Sequence, residues 1–338
     1  MEKEKKQIRV CDYHLMSCDE RDKNSFTEEF FKDQSVTFIE YFHFLLNGGF
    51  DELENELLAH FSLKRWCKMT NDDIVNSVLP KTNKDRIKKL SNKDYYIANG
   101  YCALATLKRI FTQKLYDLLK NQPAIYYHIY YQMLKSMLFD LESLKIQYSN
   151  NLKKDYTYSS YSGAIHTLRL HNVLRQTLYG HYSYHSFSDL EISESVAVIR
   201  QMIELRIRRA FGIIAYSDKD GDIHPLNMSF IFPVLKKHIN DIEFSVDLNC
   251  VERIYCWGNL YMHSGIEDWS WLPYFLEDYL KPLTLGVQHS DGSWDCNNGI
   301  VVSSIVISKI QQEIKNLKND SGIDFDVITC DPQCEVRD

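Results

Sequence analysis

Apolar residues recur every three to four positions along two stretches of this chain, Ser195–Phe211 and Asn249–Ser264. This spacing places them on one side of an α-helix, so both stretches are predicted to be amphipathic helices. Their apolar faces consist of Val196, Ile199, Ile203, Ile207, Ala210 and Phe211 in the first, and of Val251, Ile254, Tyr255, Gly258, Tyr261 and Met262 in the second. We expect the two helices to pack against each other through these faces.

Charged and polar residues border both apolar faces. In the first helix Arg200 lies at the edge of the apolar face and Glu204 follows one turn later. Glu204 also precedes Arg208 by four residues, which is the favourable order for an ion pair within a helix. In the second helix a polar stripe is formed by Glu252, Cys256, Asn259 and His263. The stripe ends at Gly265, which can adopt the left-handed conformation that closes a helix.

The segment Asn259-Leu-Tyr-Met-His263-Ser-Gly265 resembles the end of the Arg-Asn-x-x-x-His signature of HEPN domains. The first helix, with its Ile-Glu-Leu-Arg-Ile-Arg-Arg-Ala segment, is also similar to HEPN helices. The resemblance covers roughly residues 95–283, and Gly258 stands where the signature has its arginine. HEPN domains are small all-α bundles, and many are metal-independent RNases of bacterial toxin and antiphage systems. Their signature Arg and His residues face each other across a dimer.

The resemblance implies a metal-independent RNase without a cofactor, in which the ribose 2′-OH attacks the adjacent phosphate. His263 would act as general base or acid, because its ordinary pKa is close to neutral. Asn259 would orient His263 or the phosphate, and Glu204 is expected in the same cleft. The cation that Gly258 lacks would come from Arg200, Arg208 or Arg253, or from a second subunit.

A second interpretation is a catalytically inactive HEPN-like module that binds, dimerises or senses. In that case Asn259 and His263 would only form hydrogen bonds with Glu204. Under either interpretation we expect a homo-oligomer with His263 near the interface, with RNA or a nucleotide and a protein encoded in the same operon as further candidate partners.

A metal-dependent hydrolase is a third and weaker interpretation. Four histidines, His166, His171, His181 and His185, fall within the Tyr- and Ser-rich stretch 155–189. No acidic residue or cysteine accompanies them at metal-ligand spacing, so no metal site is predicted and the stretch is expected to be a loop.

The remaining pattern predicts a mainly α protein in three regions. Residues 1–93 form a charged α+β region, 94–283 a HEPN-like bundle, and 284–338 a small α+β appendage. A β-hairpin is expected as an insertion at 213–226, because Ser-Asp-Lys-Asp-Gly is a plausible turn between two short strands. Within the bundle, Asp94–Lys120 is predicted to be one long helix, and the last bundle helix is expected to stop at Pro282.

Composition restricts the partners and the compartment. The 338-residue chain has a net charge of −7, so it has no overall attraction to nucleic acid and would contact RNA through local basic patches. Nine scattered cysteines argue against a secreted disulfide framework. The charged N-terminus lacks a signal peptide, and no apolar run approaches the ~18 residues of a membrane span. The sequence therefore predicts a cytoplasmic protein.

Overall fold

The computed structural model describes residues 38–152, 193–218, 220, 222–224, 226–265, 268–319 and 325–337. This part of the chain is mainly helical. Its helices are α1 (Phe38–Phe44), α2 (Phe50–His60), α3 (Asn71–Val78), α4 (Asn83–Leu90), α5 (Lys93–Ile110), α6 (Gln113–Leu119), α7 (Ala124–Leu152), α8 (Ser193–Ala210), α9 (Met228–Lys237), α10 (Leu248–Ser264), α11 (Leu272–Leu285) and α12 (Ser304–Asn319). A short π-helical segment, Leu45–Gly49, joins α1 to α2.

The strands are short and form three small sheets. They are β1 (Ile213–Asp218), β2 (Ile223–His224), β3 (Ile242–Phe244), β4 (Val287–Gln288), β5 (Trp294–Asp295), β6 (Ile300–Val302), β7 (Phe325–Thr329) and β8 (Glu335–Val336). The sheet orders are β2-β1-β7, β3-β6-β8 and β4-β5.

The chain divides into two compact units. Of the residues that the structure describes, those in 38–70, 84–194 and 264–275 belong to the first unit, and those in 71–83, 195–263 and 276–337 belong to the second. The region 94–283 that the sequence predicts as one bundle therefore contributes to both units.

Two buried tryptophans with hydrogen-bonded indole groups lie in the core of the first unit. Trp269 and Trp271 are stacked at 5.3 Å between ring centroids. The Trp269 indole N–H donates to the Tyr95 hydroxyl at 3.0 Å, and the Trp271 indole N–H donates to the side-chain oxygen Oδ1 of Asn99 at 3.4 Å. These bonds satisfy the indole N–H groups that burial would otherwise leave without water.

The second unit is built around α8 and α10, which the hydrophobic pattern correctly predicts as helices. Ile203 and Ile207 of α8 and Val251 and Ile254 of α10 are fully buried. The predicted C-terminal cap of α10 is also confirmed, and a side-chain cap begins the helix. The Asp247 carboxylate accepts a hydrogen bond from the Cys250 backbone N–H at 2.9 Å, and Gly265 has φ +62°.

Two predicted helix boundaries are wrong. The predicted helix Asp94–Lys120 is interrupted at Phe111 and Thr112, and the Thr112 side chain accepts a bond from the Leu115 backbone N–H. This side-chain cap starts α6 although the apolar pattern continues across the break. The predicted stop at Pro282 is also wrong, because α11 continues to Leu285 and closes at Gly286, which has φ +72°.

The hairpin at 213–226 is confirmed, with β1 and β2 antiparallel and Tyr216 opposite His224. The C-terminal region is not a separate appendage, because its strand β7 pairs with the other edge of β1 and its strand β6 pairs with β3. These pairings satisfy the strand edges that an isolated hairpin would expose.

Several sequence-based expectations concern residues outside the described ranges. They include the histidine-rich stretch 155–189 and the beginning of the predicted N-terminal region, residues 1–37. Within the described ranges, no helix combines the length and the apolar composition that crossing a membrane requires.

Candidate functional site

Helices α8 and α10 come close together at Gly258. A Cβ atom at this position would lie 2.8 Å from Cβ of Arg200 and 3.6 Å from the Val196 carbonyl oxygen. Real Cβ atoms do not come this close, so any side chain at residue 258 would require the helices to move apart. The absence of a side chain at Gly258 is therefore what allows the two helices to come this close.

Arg200 of α8 reaches α10 next to this contact. Its Nε donates a short hydrogen bond to Asn259 Oδ1, and its Nη2 donates to the Tyr255 hydroxyl at 3.2 Å. The guanidinium carbon also lies 5.0 Å from the centroid of the Tyr255 ring, which is within range of a cation–π contact. A cation thus stands beside Asn259, but it comes from the opposite helix.

Glu204 completes a network within α8. One of its carboxylate oxygens lies 3.4 Å from Arg200 Nη1 and the other lies 3.3 Å from Arg208 Nη1. The side chains of Glu204 and Arg208 are only 18% and 14% exposed, so water screens this cluster less than it would a surface pair. Two guanidinium groups facing one carboxylate leave a net charge of +1. We call Arg200, Glu204, Arg208, Tyr255 and Asn259 the Arg200 network.

His263 is exposed at the end of α10, one turn after Asn259. The described contacts of Arg200, Glu204 and Arg208 go to other partners, so His263 is not bonded to the network. The structure therefore brings Glu204 and Asn259 to a shared arginine and leaves His263 outside that set of bonds.

The N-terminal half of the polar stripe, Glu252 and Cys256, makes no described bond to the Arg200 network. One carboxylate oxygen of Glu252 accepts bonds from Lys81 at 2.5 Å and from Lys236 at 2.8 Å. Burial acts to raise the pKa of Glu252, but the bonds from the two lysines outweigh it and hold this pKa below its usual range. Burial also raises the pKa of Cys256, so its thiol is protonated near neutral pH and is a poor nucleophile.

Arg253, which the sequence offers as a further candidate cation, is bonded elsewhere. Its Nε donates to Asn76 Oδ1 at 3.0 Å and its Nη1 to the Leu79 carbonyl oxygen at 2.9 Å. It therefore fastens the segment 71–83 to α10, on the side of the helix away from the Arg200 network.

Two residues outside the predicted site contribute bonds to this region. Tyr255 belongs to the predicted apolar face, but it precedes Asn259 by four residues and so shares its side of the helix. Arg206 is the second. Its guanidinium donates to the backbone oxygens of Leu283, Gln333 and Cys296 at 2.6–2.7 Å. Sequence spacing gives no sign of the Arg206 bonds, because their acceptors are backbone groups at least 77 positions away.

The chemistry available in this region is limited to proton exchange by His263 and to hydrogen bonding or charge from the Arg200 network. In the part of the chain that the structure describes, no three His, Cys, Asp or Glu side chains are grouped to hold a metal ion.

A scan against protein-family models and searches of curated proteins and of solved structures found no match to this chain.

Proposed function

We propose that this chain is a HEPN-like association module in which the Arg200 network locks α8 to α10, and that it works by pairing with a second copy of itself. One observation carries this proposal: all three guanidinium nitrogens of Arg200 are already engaged. Nε bonds Asn259, Nη1 faces Glu204 and Nη2 bonds Tyr255. A cation held in this way fixes two helices in position and is poorly placed to bind a phosphate.

Two exposed apolar residues supply the pairing surface. Val198 is 60% and Leu205 43% exposed on α8. They lie seven residues apart, two turns along the same side of the helix, and we call them the Val198–Leu205 stripe. A two-fold axis would place this stripe against its own copy, since the same patch then serves both subunits. In a toxin or antiphage system, such a dimer would present a partner enzyme with two equivalent docking sites.

Light scattering of the purified protein at micromolar concentration tests this pairing. We expect the mass of a dimer for the wild type and of a monomer for Val198→Glu and Leu205→Glu, because a charge buried at a symmetric contact faces its own copy. Ile305→Glu is the matched control, because Ile305 is also exposed, at 66%, and belongs to the same unit. A monomeric wild type, or a dimer that the stripe variants leave intact, would contradict the proposal.

A second candidate is the metal-independent RNase, which the exposure of His263 favours. An exposed imidazole one turn from Asn259 is accessible to an RNA backbone. His263 would exchange the proton of the 2′-OH, and Arg200 or Arg208 would have to leave Glu204 to contact the phosphate. The RNase predicts that the wild type cleaves RNA and that His263→Ala does not, whereas the association module predicts no cleavage by either protein.

A further inference from the structure

The charge of this chain is unevenly distributed along the sequence. Two segments of the first unit, residues 62–70 and 84–94, contain eight Lys and Arg residues and only two acidic residues, Asp85 and Asp94. Their net charge is +6, whereas the whole chain has a net charge of −7, so the remaining residues carry −13. A positive region on an otherwise acidic protein concentrates the attraction for anions in one place.

The two segments pack on the same side of α5. In the first segment Trp66 packs at Gly100, where a Cβ atom would lie 3.5 Å from its ring. In the second segment the Leu90 carbonyl oxygen, at the end of α4, accepts a hydrogen bond from the Tyr96 hydroxyl at 2.8 Å. Tyr96 and Gly100 are four residues apart, which places them on one side of the helix and about 6 Å apart along its axis.

A cluster of aromatic rings lies beneath both segments. The Tyr148 ring of α7 is 5.0 Å from the ring of Phe61, which precedes the first segment, and 5.8 Å from the ring of Tyr96. The Lys93 ammonium group lies 5.8 Å from the centroid of the same Tyr148 ring. The two segments are therefore neighbours on the surface of the first unit, although 13 residues of the second unit separate them in the sequence.

Six cations of these segments are exposed and lack a carboxylate partner. Other lysines of the first unit, such as Lys108 and Lys145, form ion pairs, and the buried Arg86 pairs with Asp268. Within the described ranges, the side chains of the six cations form no ion pair and no hydrogen bond. We call them the basic surface: Lys64, Arg65, Lys68, Lys84, Lys88 and Lys93.

Two half-buried aromatic rings adjoin the basic surface. Trp66 stands among Lys64, Arg65 and Lys68 in a loop without helix or strand, and its ring lies 5.7 Å from that of Tyr101. Proteins that bind single-stranded nucleic acid combine cations that follow the phosphates with aromatic rings on which the bases stack. In a duplex the bases already stack on one another, so these rings favour a single strand.

We infer that the basic surface binds the phosphate backbone of a single-stranded nucleic acid. Contacts to phosphates carry no sequence information, so DNA and RNA should bind with similar affinity. Each phosphate contact contributes about −0.7 to the slope of log K against log salt concentration for a single strand. With about five phosphates contacted, the slope should be about −3.5, and the affinity should fall about 100-fold between about 50 and 200 mM salt.

Fluorescence anisotropy of labelled oligo(dT) and oligo(rU) of about 15 nucleotides, titrated with the full chain, tests this binding. The triple variant Lys64→Gln, Arg65→Gln, Lys68→Gln should reduce the slope by about 2 and the affinity at about 0.1 M salt by about 100-fold. Absence of binding to either oligonucleotide at about 50 mM salt, or a triple variant that binds like the wild type, would overturn the inference.

The matched control removes the same charge elsewhere. Lys114, Lys237 and Lys309 are exposed and lie outside the two segments, and their triple substitution by Gln should leave the slope unchanged. An equal loss in this control would reduce the effect to net charge and overturn the assignment to the basic surface.

Two competitors separate the single strand from other anions. Polyglutamate should bind more weakly than oligo(dT), because it offers no bases to the rings. A duplex of the same length should also bind more weakly, although its charge density is higher. Equal binding of polyglutamate would identify a surface for acidic proteins, and tighter binding of the duplex would show attraction by charge alone; either result overturns the inference.

The outcome is independent of the proposed pairing. The basic surface belongs to the first unit, whereas Val198, Leu205 and His263 belong to the second. Loss of nucleic-acid binding in the triple variant should therefore leave the mass of the dimer in light scattering unchanged.

Discussion

The two halves of helix α10 are bonded to the rest of the second unit in different ways. In the N-terminal half, Glu252 and Arg253 bind Lys81, Lys236, Asn76 and the Leu79 backbone, which belong to two other segments of the chain. In the C-terminal half, the described side-chain bonds of Asn259 and Tyr255 go to one residue, Arg200 of α8. Beyond them Met262 and His263 are exposed.

This difference divides a polar stripe that looks uniform in the sequence. The Glu252 half joins three segments through ion pairs and is therefore a structural junction. The Asn259 half depends on a single helix–helix contact and leaves its terminal imidazole accessible. Any recognition by α10 is therefore expected at the C-terminal half, and substitutions in the two halves should have separable effects.

The largest effect is expected at Gly258, where the two helices touch. Gly258→Ala should destabilise the protein although alanine is the better helix former by about 1 kcal/mol, because its Cβ would overlap that of Arg200. Overpacking of this kind typically costs about 1–3 kcal/mol, so after the gain in helix propensity the net loss should be up to about 2 kcal/mol. Gly258→Arg, which adds a much longer side chain at the same contact, should cost more.

Chemical denaturation measures these losses. Met262→Arg is the control, because it introduces the same side chain one turn later at an exposed position. A Gly258→Arg protein as stable as the wild type would show that the helices are not in contact at this residue.

The next effect concerns the Arg200–Asn259 bond. A double-mutant cycle with Arg200→Ala and Asn259→Ala should give a coupling energy of about 1–2 kcal/mol, as for a partly buried hydrogen bond to a charged group. The same cycle with His263→Ala in place of Asn259→Ala should give a coupling close to zero. Strong coupling between Arg200 and His263 would instead place the imidazole within the network.

A smaller effect is expected from Glu252, and it depends on pH. Because its pKa is lowered in the folded protein, its contribution to stability is complete above the unfolded pKa of about 4.3 and is lost as the pH falls through the folded value. Glu252→Gln should therefore lose at most about 1 kcal/mol at pH 7, and this difference from the wild type should vanish in acid.

Urea unfolding of the wild type and of Glu252→Gln, at pH 7 and at a pH below the folded pKa of Glu252, checks this dependence. Glu243→Gln, at an exposed carboxylate of β3, is the control and should show little change at either pH. A deficit of the Glu252 variant that persists in acid would mean that the lost stability does not come from the charged pair.

Most of the helices could be predicted because the residue spacings that indicate a helix lie within the helix itself. The apolar spacing identifies α8 and α10, and the four-residue separation of Glu204 and Arg208 identifies their ion pair. The break at Thr112 could not be predicted, because the apolar pattern continues through it and only the side-chain cap distinguishes it.

The rest depends on contacts between distant residues. Strand β7 pairs with β1 across more than a hundred positions, and no local pattern records that pairing. The same holds for the candidate site. The sequence predicts that Glu204 and Asn259 approach each other, but it gives no indication that Arg200 would be bonded on every nitrogen. That saturation depends on the close helix contact at Gly258.

RNA cleavage by the wild type and by His263→Ala is the most direct test of the claim that the Arg200 network is structural. Both proteins are incubated with single-stranded and structured RNA, and their thermal melts are compared. We expect no cleavage by either protein. We also expect their free energies of unfolding to agree within about 0.5 kcal/mol, because the substitution removes an exposed side chain. Cleavage by the wild type that falls by about 10²–10⁴-fold in His263→Ala, with the melting temperature unchanged, would identify a general acid–base residue and contradict the account.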